Sequence, residues 1–139
     1  MSRTAEIKLT VDLDADDVPT QIMWEASEAR DRGPTPCQSM MLSLWDSERK
    51  AIAAIDLWAK DTTIDDMNLF VYQAIHHMAE TYLRATKNEE LAELIHEFGE
   101  AFGGTTGLIN LGADNSAGRE RKLVNLISLA RDSRQRSAE

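Results

Sequence analysis

Three histidines, His76, His77 and His96, are the side chains best suited to chemistry near neutral pH, as metal ligands or acid–base groups. His76 and Glu80 lie one helical turn apart, so a helix would bring both to one face, where they could share a metal ion. Further ligands would have to come from a neighbouring helix, with His96 or Glu97 as candidates. The spacing gives this little support. There is no HExxH, and Glu93, three residues before His96, has no second pair to match it. On the polar half of a helix, a solvated imidazole beside a glutamate is the commoner outcome. The expectation is therefore no metal and no cofactor.

Other reactive groups point the same way. Cys37 is the only cysteine and sits among prolines. It can form no intrachain disulfide, which suits a reducing compartment. No local base accompanies it, so it does not read as a nucleophile. Asp14, Asp16 and Asp17 lack the glycine and terminal glutamate of a calcium loop and read as turn residues. Gly103-Gly104-Thr105-Thr106-Gly107 follows a helix pattern and lacks a phosphate-loop lysine, so it should end the helix. No catalytic residue emerges, and a non-enzymatic protein is the expectation.

Composition narrows the partners. A chain of 139 residues, 42% hydrophobic, can bury a core without disulfides or metal. Its formal charge of −9 would repel nucleic acid and anionic membranes. The basic residues are unevenly spread. Arg119, Arg121, Lys122, Arg131, Arg134 and Arg136 are six of the fifteen. From Arg119 onward the charge is +3, leaving −12 for the rest. Such a tail could dock on the acidic body of its own or another protomer, or remain a solvated helix. No segment approaches the roughly 20 apolar residues of a membrane span. The N-terminus shows no signal-peptide pattern. No membrane insertion and a cytoplasmic location are expected.

The elements that must position these residues follow from periodicity. Ile7, Leu9, Val11 and Leu13 alternate with polar residues as a half-buried strand. Pro19 interrupts, and Gln21 to Ala26 reads as a second strand with Ile22 and Trp24 inward and Met23 and Glu25 outward. Ser27 to Ser39, with Gly33, Pro34 and Pro36, reads as a connector. Two further strands run from Met40 to Asp46 and from Ala53 to Lys60, joined by Ser47-Glu48-Arg49-Lys50. The period then changes to 3.6. Thr63 is a candidate N-cap for a helix to about Ala85, with Ile64, Met67, Val71, Ala74, Ile75, Met78 and Tyr82 as its apolar stripe. Asn88 caps a second helix with Leu91, Leu94, Ile95, Phe98 and Phe102, stopped by Gly103-Gly104. Thr105 to Gly118 reads as a linker. Leu123, Val124, Leu126, Ile127 and Ala130 form a basic amphipathic third helix. The predicted fold is α+β: a four-stranded antiparallel β-meander with two antiparallel helices on one face and a C-terminal amphipathic helix. Residues 1–110 form the domain, and 111–139 the linker and tail helix.

Alternation gives the third and fourth strands a distinctive property. With Leu42, Leu44, Ile55 and Leu57 toward the core, Trp45 and Trp58 point away from it. Met23 and Met41 would join them on the outer face of the meander. Such a face is a candidate protein-interaction surface, for an outside partner or a second copy, unless the tail or the connector covers it.

These blocks also carry a family resemblance. Glu6-Ile7-Lys8-Leu9-Thr10-Val11-Asp12-Leu13-Asp14, Val18-Pro19 and Ile22-x-Trp24-x-Ala26 are similar to the start of the gliding-motility protein GldC family. So are Met40-Met41-Leu42-Ser43-Leu44-Trp45-Asp46, Ile55-Asp56-Leu57-Trp58-Ala59-Lys60-Asp61, and Phe98-Gly99-Glu100-x-Phe102-Gly103 with Thr106-Gly107. The resemblance runs from Glu6 to Leu108, and the extension beyond departs from the short family pattern. It implies a soluble accessory component of the gliding apparatus of Bacteroidetes-type bacteria, with motility or secretion machinery as partners and no transferable catalytic motif. The expected function is thus a non-enzymatic interaction protein. The alternative is a chaperone-like holder of unfolded or partner chains on an apolar sheet face.

Overall fold

The computed structural model describes residues 2–29 and 33–108. The tail helix and linker expected over 111–139 lie outside the described residues. Among the described residues, five strands are followed by two helices, so the α+β class holds. The chain divides into a β unit, Met1–Thr63, and a helical unit that begins at Ile64.

In the β unit, β1 (Ile7–Leu13) and β2 (Pro19–Ala26) pair antiparallel, from Ile7 opposite Ala26 to Leu13 opposite Pro19. The turn between them is held by Asp14. Its Oδ1 accepts the Asp16 N–H at 2.8 Å and the Val18 N–H at 3.1 Å, and Asp17 takes a left-handed backbone with φ 60°. Those backbone donors, with Lys60 Nζ at 3.4 Å, hold the Asp14 carboxyl below its usual pKa. Pro19 is admitted because it is the first residue of its strand. The pairing register shifts between Asp12 and Leu13 beside it.

A single four-stranded meander does not form. The structure contains a three-stranded sheet, β1-β2-β3, and a separate two-stranded sheet, β4-β5. The cause is β3 (Thr35–Cys37), which lies in the segment read as a connector. It takes the edge of β2 that a meander would have given to the next strand, with Ile22 opposite Cys37 and Trp24 opposite Thr35. Pro36 lies within β3 because β3 is an edge strand, where a missing ladder donor is tolerated. After Gln38 the chain continues as β4 (Ser39–Asp46) and pairs with β5 (Ala51–Trp58) alone. The sheets are tied by backbone bonds from Ala59 N–H to Gln38 O at 2.8 Å and from Lys60 N–H to Pro19 O at 2.9 Å.

Burial in this unit is concentrated at Ile22, which has no solvent exposure. Trp24, expected inward beside it, remains 37% exposed. It is two residues away on the same strand face, but nearer the open end of the three-residue β3.

In the helical unit, α1 (Ile64–Thr86) and α2 (Glu89–Thr106) form an antiparallel pair. Lys87, in a left-handed conformation, makes the reversal. The Asn88 side chain caps α2 by accepting the Leu91 N–H at 3.1 Å. Gly103 and Gly104 do not end α2. They are buried within it, and the left-handed residue is Gly107, φ 80°. Burial within the two helices is also narrower than the apolar stripes suggested. The fully buried residues are Ala79 on α1 and Ala92, Gly99, Ala101, Gly103 and Gly104 on α2. Ile64 and Met78 remain mostly exposed. At Gly99 the absence of a side chain admits the His76 ring of α1.

Candidate functional site

The β4–β5 hairpin closes through a four-residue turn in which the Asp46 carboxylate accepts the backbone N–H groups of Glu48 and Arg49, both at 3.0 Å. Lys50 completes the reversal with φ 54°. This fixes the register, with Trp45 opposite Ile52, Ser43 opposite Ala54, Met41 opposite Asp56 and Ser39 opposite Trp58. Paired residues share a face. One face therefore carries Met41, Trp45, Ile52 and Trp58, which are 50%, 63%, 65% and 54% exposed. The tryptophans mark its two ends, and Ser43 and Ala54 form a low centre between them.

Met41, Trp45 and Trp58 thus share a face. Met23 lies in the other sheet, half-buried, between Thr10 and Pro36, and the structure does not bring it into the hairpin. Sequence reasoning missed Ile52. Extending the second strand back from Ala53 by one residue would have found it, since Ile52 and Trp58 are an even number apart. The opposite hairpin face is apolar as well, and Leu44 and Ile55 on it are more than half exposed.

The second assembly lies between the helices. The Nδ1 atoms of His76 and His96 are 2.7 Å apart and the rings meet edge to edge, with centroids 5.0 Å apart and planes inclined by 29°. The edge of Tyr72 packs on His76 with ring centroids 4.9 Å apart, and its OH donates to Glu100 Oε1 at 3.3 Å. His76 Nε2 stands 3.2 Å from the same oxygen. The distance suits an ion pair, but the angles do not make a hydrogen bond, and the buried Nε2 has no hydrogen-bond partner. The contact is electrostatic and strongest when the ring is charged.

His76 was expected on the solvated half of its helix beside Glu80. It lies instead at the helix seam, partnered by His96 and Glu100, while Glu80 is exposed. Among the described residues, no group of three or more His, Cys, Asp or Glu is placed to hold a metal ion. Burial, together with the charge and hydrogen bond of Glu100, pushes the Tyr72 phenol above its usual pKa near 10. A raised pKa means that its contribution to stability is complete below the ordinary phenol pKa and is lost as pH rises through the folded value. In an ultraviolet titration of the folded protein, Tyr72 is therefore expected to ionise later than in urea. Tyr72→Phe should remove that late step.

Cys37 borders a hollow of about 230 Å³ with Thr20, Gln21, Gln38 and Asp61, smaller than ordinary ligand pockets of about 300–1,000 Å³. Burial raises the thiol pKa, which keeps it protonated and weakly nucleophilic.

Fold and surface together define a small α+β protein that exposes two tryptophans on one face of a hairpin. The family model described as gliding motility-associated protein GldC-like matches residues 19–107, from β2 through α2 and including both the hairpin and the histidine pair. The chain belongs to the GldC-like family. No curated protein and no solved structure matches it. Among the described residues, no helix is long and apolar enough to cross a membrane.

Proposed function

We propose that this protein is a cytoplasmic, non-enzymatic accessory component of a gliding-motility apparatus, and that the hairpin face of Met41, Trp45, Ile52 and Trp58 binds a protein of that machinery. Met23 enters this reading only as a separate contact on the other sheet. The exposure of both tryptophans on one rigid face carries the proposal. Tryptophan is among the residues that dominate interface energies, and apolar residues exposed together on one face, here interrupted by Ser43 and Asp56, mark an interaction site. Family membership supplies the motility context. A photo-crosslinking side chain at Ile52, in the chain expressed in a gliding bacterium, is expected to trap one discrete motility protein. The same side chain at Lys8, on the three-stranded sheet, should not. Equal yields at the two positions would contradict the proposal.

The apolar residues exposed on the second hairpin face, Leu44 and Ile55, favour one other reading: a holder of unfolded chains that uses both faces. Crosslinks from Ile52 spread over many unfolded clients, rather than one folded partner, would support it.

A further inference from the structure

We propose that His76 and His96 form a proton-counting latch on the α1–α2 pair, closed while one proton lies between their Nδ1 atoms and released when both rings are charged. At 2.7 Å one nitrogen must donate and the other accept, because two lone pairs or two N–H groups would repel. The Glu100 carboxylate beside His76 Nε2 favours a proton on that nitrogen. His76 Nδ1 then carries the lone pair, and His96 Nδ1–H donates to it.

One added proton is accommodated. Whether it resides on His76 or His96, a single hydrogen remains between the two Nδ1 atoms, and Glu100 faces the resulting charge. A second added proton leaves two N–H groups pointing at each other, and two cations with ring centroids 5.0 Å apart. The groups facing the pair are Tyr72 on α1 and Glu100 on α2, with Glu80 one turn along α1 and Glu93 and Glu97 within a turn of His96. These acids soften the charge repulsion but cannot supply the missing acceptor between the rings.

The ring of His76 also has no room to retreat toward α2. It lies so close to the α2 backbone that a Cβ at Gly99 would fall 2.8 Å from its Nε2. Relief requires the ring to swing out or the helices to part.

The test uses the full chain with nitrogen-labelled histidine. Near pH 7.5, magnetic resonance is expected to show scalar coupling between the two Nδ1 nuclei through the shared hydrogen, which is lost near pH 5. Over the same interval the helical thermal midpoint should fall by about 5 °C or more. His96→Gln should flatten that fall, and His77→Gln, on the exposed side of α1, should leave it intact. Absence of the coupling near pH 7.5 would overturn the proposal, as would the same acid response in wild type and His96→Gln. If His96→Gln does not fold, the wild-type coupling and its loss decide alone.

Discussion

Replacing Ile22 by alanine is expected to destabilise the protein by about 3 kcal/mol, a large part of the total for a small domain. Among the described residues, Ile22 is the only large side chain with no solvent exposure. It sits in the central strand of its sheet, between Val11 on one neighbour and Cys37 on the other. Truncation loses the transfer energy of the removed carbons and leaves a cavity that a pinned central strand cannot collapse to fill. Leu44→Ala is the contrast. Leu44 is mostly exposed on the hairpin, and its loss should change stability by about 0.5 kcal/mol or less. Urea unfolding followed by tryptophan fluorescence measures both. Similar costs would mean that Ile22 is not the anchor of the β unit.

Gly99→Ala is the second large effect, and its sign runs against helix propensity. In an exposed helix interior, alanine gains up to about 1 kcal/mol over glycine. At Gly99 the new Cβ would meet the His76 ring at 2.8 to 3.1 Å on three ring atoms, the shortest closer than real contacts allow. The ring is also held by its T-shaped contact with Tyr72 and its Nδ1 contact with His96, so it cannot yield cheaply. Overpacking of this kind costs about 1–3 kcal/mol, which leaves a net loss of up to about 2 kcal/mol. Denaturation followed by far-ultraviolet circular dichroism should show the lowered midpoint. The variant should also lose the His76–His96 bond, which ties the stability effect to the histidine pair rather than to the helix alone.

Much of this fold was legible where hydrophobic periodicity is strong. The alternation of Ile7 to Leu13 and the switch to a 3.6 period after Thr63 give β1 and α1 directly, and the Asn88 cap gives the start of α2. The same alternation places Trp45 and Trp58 on one hairpin face. What sequence did not show has physical reasons. β3 is three residues long, follows Pro34, contains Pro36 and has no period of its own. Its existence depends on the free edge of β2, a tertiary condition. Because β3 takes that edge, the four-stranded meander gives way to two sheets, and Met23 is parted from the tryptophans. Glycines at 103 and 104 read as a stop because glycine ends helices in isolation. Here both are buried inside α2, and Gly107 takes the left-handed role. The histidine pair required the register between two helices. Spacing along α1 suggested Glu80 as the partner of His76, whereas the antiparallel crossing brings His96 and Glu100 to it.

The central claim is that the tryptophan face of the hairpin binds a partner, and one comparison tests it most directly. Full-length wild type and a Trp45→Ala, Trp58→Ala double variant are used, side by side, to capture proteins from an extract of a gliding bacterium. Circular dichroism first establishes that both are folded. If both tryptophans are interface anchors worth about 2 kcal/mol or more together, capture of a discrete motility protein should fall by about 30-fold or more. A folded double variant that captures the same partner in the same yield would contradict the account.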